Sequence, residues 1–179
     1  MKIFAETNRL LLREIVLTDA EAIFELDNDP EVHAFLGNNP IKTMDQAENI
    51  VNFIRLQYKE NGIGRWAAVE KTSGRFIGWS GLKLIREQVN GHSGYYDLGY
   101  RLIRKYWSQG YAGEAAAASL KYGFETLKLP VIYAIADIEN AGSFRVLQKA
   151  GFRSANTFDY EGVPHYWFSL QKEEWNKIR

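Results

Sequence analysis

The residue types best suited to chemistry are concentrated in Tyr95-Tyr96-Asp97-Leu98-Gly99-Tyr100-Arg101-Leu102, followed by Trp107-Ser108-Gln109-Gly110-Tyr111-Ala112-Gly113-Glu114-Ala115. The pattern reads as a strand feeding a glycine-containing turn that opens directly into a helix. The first backbone N–H groups of such a helix have no intrahelical acceptor and point at whatever lies before them. Together with the helix dipole they make an anion site suited to phosphates. Gly110 and Gly113 let a ligand approach the backbone, and Ala112 adds little bulk. A plain helix start uses the same residues, so this signal alone leaves both readings open. The spacing departs from the Gly-Lys-Ser/Thr phosphate loop and from the dinucleotide fingerprint, and the preceding strand reads as antiparallel. Other chemistry is thin. With no cysteine there is no thiol nucleophile, thiolate zinc site, iron–sulfur cluster or disulfide. His33, His92 and His165 are scattered, and no metal site is expected.

The elements that must position this segment come from a chain of 179 residues, 46% apolar and 25% charged, enough for one domain over residues 1–179 with a sizeable core. Lys+Arg and Asp+Glu are both 22. That balance disfavours nucleic acid or anionic lipid as a partner. No apolar run approaches the ~20 residues that span a bilayer. The first residues turn polar too early for a signal peptide, which points to the cytoplasm. Residues 9–15 read as a first strand. Thr18-Asp19-Ala20-Glu21 has capping-box spacing and predicts a helix to about Asn28. Thr43-Met44-Asp45-Gln46 repeats the signal before Ala47, Val51, Ile54 and Tyr58, at helical spacing as far as Gly62. Strands follow at 65–70, 75–85 and 95–102, with Gly78 and Gly81 predicting a bulge or a close backbone approach. A long helix keeps Ala112, Ala116, Leu120, Phe124 and Leu127 on one face. Residues 131–136, apolar on both faces, predict a strand covered on both sides. A short helix at 140–150, two last strands and an amphipathic tail complete a mixed α/β sheet with helices on both faces.

Taken jointly, these pieces resemble the GNAT superfamily of acetyl-CoA-dependent N-acetyltransferases, specifically its RimJ/RimL-like branch. Glu6-Thr7-Asn8-Arg9-Leu10-Leu11-Leu12-Arg13 is similar to that branch's opening strand. Leu98-Gly99-Tyr100-Arg101-Leu102 and Tyr106-Trp107-Ser108-Gln109-Gly110-Tyr111-Ala112-Gly113-Glu114-Ala115 resemble its acetyl-CoA motif. Asn140-Ala141-Gly142-Ser143 with Lys149-Ala150-Gly151-Phe152 resembles its following helix and turn, and Phe168-Ser169-Leu170 with Glu174-Trp175 its ending. The resemblance covers nearly the whole chain. It implies a central sheet of about seven strands whose fourth and fifth members, here 95–102 and 131–138, splay apart to admit pantetheine as an added strand. It also implies that Leu98, Tyr100, Arg101, Leu102, Gln109, Gly110, Tyr111, Ala112, Gly113, Asn140 and Ser143 hold acetyl-CoA, a backbone N–H near Leu102 polarising the thioester.

The same resemblance supplies the chemical roles. Asp97 stands where many members carry a catalytic Glu, and it shares a strand face with Gly99 and Arg101. One methylene shorter, it would work as a base through a water; a loop-ordering carboxylate is the alternative. Many members use a Tyr acid where this chain has Leu147, so Ser143 is the implied proton donor to the thiolate. Capping of the helix start is the competing role for both Ser143 and Asn140. Glu114 reads as a helix pairing residue, Arg104 and Lys105 as surface charges, and His165 as a possible lining of the acceptor cleft. That cleft would be built by residues 29–61 and the hairpin 158–165. The implied acceptor is a small-molecule amine or a protein N-terminus, handled by a monomer or homodimer. A non-catalytic acyl-CoA sensing module on the same scaffold is the alternative, as is a nucleotide-binding α/β protein.

Overall fold

The computed structural model describes residues 1–178. Eight strands form one sheet in the order β1-β2-β3-β4-β5-β6-β8-β7. They are β1 Ile3–Glu6, β2 Leu10–Glu14, β3 Trp66–Glu70, β4 Phe76–Ile85, β5 Tyr95–Leu102, β6 Val131–Asp137, β7 Arg153–Tyr160 and β8 Val163–Gln171. Neighbours are antiparallel except β5 and β6, which run parallel. The helices are α1 Ala20–Asn28, α2 Pro30–His33, α3 Met44–Asn61, α4 Tyr111–Lys121, α5 Ala141–Lys149 and α6 Lys172–Ile178. The extra strand relative to expectation is β1. Of its four residues only Phe4 is buried, which leaves no periodicity to read.

The two sheet faces carry separate cores. On one, α4, α5 and α6 bury Leu120, Leu147 and Trp175 with Leu98, Leu102 and Ile132 of the strands. On the other, α1 and α3 bury Ile23, Ala47, Val51 and Ile54 against Ala67 and Val69. The Thr43 box is realised: its hydroxyl accepts the Gln46 backbone N–H at 3.4 Å, and the Gln46 side-chain Oε1 accepts the Thr43 N–H at 3.1 Å. The Thr18 box is not. Asp19, itself buried, turns back instead, accepting the Val16 N–H at 2.8 Å and pairing with Arg13 at 2.7 Å, a charge-assisted contact stronger than a helix cap. The four-residue α2 lies outside the sequence-based expectation; Asp29 caps it and Pro30 opens it.

Three departures bear on the site. The long helix predicted through Leu127 stops at Lys121 and continues as a π-helical turn, Tyr122–Thr126. There Gly123 presses so closely on the sheet that a Cβ would lie 2.6 Å from Ile132 and 2.8 Å from Leu82. Strand β6 is covered on both sides but unequally: Ile132, Ala134 and Ala136 are buried, whereas Val131, Tyr133, Ile135 and Asp137 are half-buried on a face crossed by the loop before β5. The glycines of β4 mark the predicted close approach. Gly78 holds φ +150°, and a Cβ there would lie 2.2 Å from the Arg101 carbonyl oxygen.

Candidate active site

Strand β5 carries the site because of how its backbone alternates. The Ile103 N–H bonds the Ile77 carbonyl at 2.9 Å, and the register runs evenly from Gly78↔Leu102 to Ile85↔Tyr95. Bonded pairs alternate along an antiparallel ladder, so Tyr96, Leu98, Tyr100 and Leu102 turn their N–H and C=O groups away from β4, toward β6. Yet β5 and β6 share a single register pair, Asp97↔Tyr133, near their starts. Beyond it the strands part, and the backbones of Tyr100 and Leu102 face a gap. The Leu102 carbonyl accepts the Trp107 indole N–H at 2.8 Å, leaving the Leu102 N–H as a donor at the gap's far end.

Helix α4 starts at that end. Its N-cap, Gly110, sits at φ +81°, and a Cβ on Gly113 would meet no heavy atom within 4 Å, so the space before the helix is open. Sequence reasoning missed the cation that holds this turn. The Arg9 guanidinium bonds the Gln109 carbonyl at 2.9 Å, pairs with Glu114 at 2.6 Å, and lies 4.2 Å from the centroid of the Tyr111 ring. Glu114 also accepts the Thr7 hydroxyl at 2.6 Å, so it pairs structurally, as expected. Arg9 acts across about a hundred residues of chain, a separation no local spacing reports. Arg104 and Lys105 are engaged elsewhere, with Asp29 at 3.0 Å and Glu25 at 2.8 Å.

The two faces of β5 separate the candidate chemical groups. Tyr100 points toward α5, where its hydroxyl lies 3.0 Å from Ser143 Oγ and 3.1 Å from the Ser143 carbonyl. Burial is the main force pushing the Tyr100 phenol up to about 12, which keeps it a neutral donor. Asn140 caps α5, its Oδ1 accepting the Ser143 N–H at 2.9 Å, so the structure gives Asn140 the capping role and frees the Ser143 side chain for Tyr100. Leu147, where a Tyr acid was looked for, is core at 1% exposure.

Asp97 points the other way. It is ion-paired with Arg65, whose guanidinium also bonds the carbonyls of Gly81 at 2.6 Å and Asp97 at 2.7 Å. Gly99 makes room for this: a Cβ there would lie 2.6 Å from the guanidinium. Desolvation by burial outweighs Arg65, so the Asp97 carboxyl is held above its ordinary value. Arg65 had stood only as a strand start; its cross-strand role follows from register, which the sequence does not print. Arg101 continues the same face into a buried pair with Asp27 at 2.6 Å, beside His33, rather than toward the gap.

The donors available for a coenzyme A thioester therefore fit it chemically. Open helix-start N–H groups backed by Arg9 suit a diphosphate, and free strand amides suit an amide-bearing arm. A sheet split at one parallel pair, beside an open helix start, is the architecture that the resemblance to the GNAT acetyltransferases implies. Comparison with known proteins agrees. The family profile described as Acetyltransferase (GNAT) domain matches residues 9–153. The chain is 32% identical over 175 residues to an uncharacterized N-acetyltransferase, p20, of Bacillus licheniformis, covering 94% of this chain and 96% of that protein. A GNAT-family acetyltransferase from Bacillus anthracis superposes with TM-score 0.78 at 28% identity, covering 97% of this chain and 99% of that one. Ribosomal-protein-S5-alanine acetyltransferase from Vibrio fischeri shares the fold, with TM-score 0.76 at 19% identity over 96% of this chain and 97% of its own. The chain belongs to the GNAT acetyltransferase family.

Proposed function

We propose that the protein, acting as one domain, transfers acetyl from acetyl-CoA to a primary amine by direct attack in a ternary complex. The observation that carries this is the parting of β5 and β6 beyond Asp97↔Tyr133, directly before the open start of α4. In this reading the N–H groups from Gln109 to Gly113 take the diphosphate, the free amides of Tyr100 and Leu102 take the arm, and the Leu102 N–H faces the thioester oxygen. Held against the acyl carbon, an amine gains several kcal/mol from positioning alone.

Amine and thiol need opposite proton traffic as the C–N bond forms and the C–S bond breaks. Asp97, raised by burial, accepts the proton that leaves nitrogen. On the other face Ser143 supplies the proton that sulfur needs. A carbonyl only accepts, so when the Tyr100 O–H donates to the Ser143 carbonyl, the Ser143 O–H donates to Tyr100. When Tyr100 turns its O–H to Ser143 Oγ, the Ser143 proton faces the gap; as it passes to sulfur, Ser143 takes the Tyr100 proton and solvent restores the phenol. Tyr100 thereby does for Ser143 what the missing Tyr at Leu147 would have done directly.

Thiol release is a clean assay because the chain has no cysteine. We expect acetyl-CoA to bind in calorimetry, and free thiol to appear only when a primary amine is present. Absence of any affinity for acetyl-CoA or CoA overturns the reading.

A further inference from the structure

The half-buried face of β6 is not bare. Trp167 of β8, only 2% exposed, sits at the centre of a cluster of rings on that face. Its centroid lies 5.2 Å from Tyr95 of β5, 5.1 Å from Tyr133 of β6 and 5.6 Å from Phe158 of β7. Tyr160 extends the cluster to the tip of the β7–β8 hairpin, 6.1 Å from Phe158 and 5.4 Å from His165. Tyr95 and Asp97 are two residues apart on one strand and so share this face. The rings therefore begin beside the carboxylate assigned to the amine.

The loop before β5 closes the cluster at one end. It crosses β6 and β8 to reach β7, where Asn90 and Asn156 exchange amide hydrogen bonds at 3.1 and 3.3 Å. On the way it lays His92 against Trp167, centroids 4.9 Å apart and nearly parallel. A cavity of about 540 Å³ lies at this end, between the loop, Tyr95, Tyr96, Tyr133 and residues 129–131; Asp97, Phe158 and Tyr160 do not line it. The strap makes the cleft finite, suited to a compact body rather than to a polypeptide running through.

The charge pattern narrows the class further. Burial chiefly, and then the fields of Asp97, Glu87 and Glu161, raise the Tyr95 and Tyr160 phenols, while Arg65 and Lys83 are the cations that act on Asp97. Such surroundings attract an ammonium ion, and the ring faces hold it. Glu87 and Glu161 are exposed at the rim and screened, while Asp97 is the buried carboxylate and already shares its charge with Arg65. One cation next to a flat apolar body matches this site; several spaced cations do not.

We infer that the acceptor is a small primary amine carrying an aromatic ring, an arylalkylamine, with its ring against the half-buried Tyr95, Phe158 and Tyr160, which Trp167 backs from beneath, and its amine at Asp97. This deepens the acetyl-transfer reading and rests on it. The test is a panel of 2-phenylethylamine, tryptamine, n-hexylamine, spermidine and a short peptide with a free N-terminus, with kcat/KM measured for each and acetyl-CoA affinity measured separately. One added ring–ring contact is worth roughly a factor of ten, so the arylalkylamines should exceed n-hexylamine by at least about tenfold. Tyr160→Leu and Phe158→Leu should shrink that ratio severalfold without weakening acetyl-CoA binding. Equal or better turnover of n-hexylamine, spermidine or the peptide overturns the acceptor class and leaves acetyl transfer standing. Loss of acetyl-CoA binding to the unaltered protein overturns the underlying reading instead. If acetyl-CoA binds and no amine turns over, titration of tryptamine into the CoA complex decides: saturable binding that Tyr160→Leu weakens supports the class, and no binding overturns it.

Discussion

Replacing Tyr100 by Phe removes one oxygen and keeps the ring and the β5 backbone, so it isolates the hydroxyl. Two contacts vanish, to Ser143 Oγ at 3.0 Å and to its carbonyl at 3.1 Å. Neutral hydrogen bonds of this kind contribute about 0.5–1.5 kcal/mol each, so stability should fall by ~1–2 kcal/mol, or ~3–6 °C in Tm for a chain of this length. The kinetic effect is separable from that. A positioned acid contributes ~10²–10⁴-fold, and Tyr100→Phe leaves Ser143 present but without the donor that turns its proton to the gap and replaces it, so kcat should fall ~10-fold or more with KM for acetyl-CoA unchanged. Ser143→Ala should cost about as much or more, and the double variant no more than Ser143→Ala alone, because the two hydroxyls act as one unit. With the phenol at about 12, no basic limb traceable to Tyr100 should appear between pH 6 and 10. The assay is thiol release at saturating acetyl-CoA, with pre-steady-state mixing to expose the chemical step. Full kcat in Tyr100→Phe, or losses that multiply in the double variant, would refute the coupling between the two hydroxyls.

Asp97→Asn should lower kcat ~10²-fold, and it should abolish an acidic limb in kcat/KM that lies above the ordinary carboxylate value of 3.8, since a base raised by burial is lost as pH falls through its own elevated pKa; a limb that persists in the variant assigns it to another group. Gly113→Ala should move two readouts in opposite directions. No atom lies within 4 Å of the new methyl, so helix propensity adds ~0.5–1 kcal/mol of stability, while a diphosphate pressed to that backbone loses room and acetyl-CoA affinity drops. Buried His33 titrates below its ordinary value of 6.5, chiefly through desolvation and then the Arg101 charge, with Asp27 opposing. Between the lowered value and 6.5 the unfolded chain binds more protons, so stability should decline as pH falls from about 6.5, and His33→Gln should flatten Tm against pH over that window.

The strand, turn and helix start of the proposed diphosphate site were legible because they are local. A strand, a glycine turn and a helix start are contiguous in sequence, and the backbone itself supplies the donors, so spacing is nearly sufficient. The same holds for Asn140 and Ser143, three residues apart on one helix turn. What escaped is what the sheet assembles. Arg65 meets Asp97 only through the register of β3, β4 and β5, and Arg9 meets Glu114 only because β2 lies under α4. Strand β6 read as covered on both sides, but its outer face is met by rings and a loop: Tyr133 packs on His92, Tyr95 and Trp167, and a helix cover would demand the same residue types. Likewise Thr18 lost its cap to Asp19 because Arg13 makes a stronger claim on that carboxylate than helix N–H groups do.

Strand β5 explains why the proposed proton donor and acceptor do not neutralise one another. Successive side chains leave a strand on opposite faces, so Asp97 and Tyr100, three positions apart, fall on opposite sides of the sheet. A carboxylate and the hydroxyl pair on one face would simply hydrogen-bond each other and fill the site. Separated by the sheet, they can meet only through what lies in the gap between β5 and β6, where a thioester is reachable from both sides. The sheet must therefore be open there for the two groups to act on one reaction. The single pairing at Asp97↔Tyr133 thus does two things: it closes the sheet where the amine's carboxylate is anchored, and it ends before the Ser143 side of the chemistry begins.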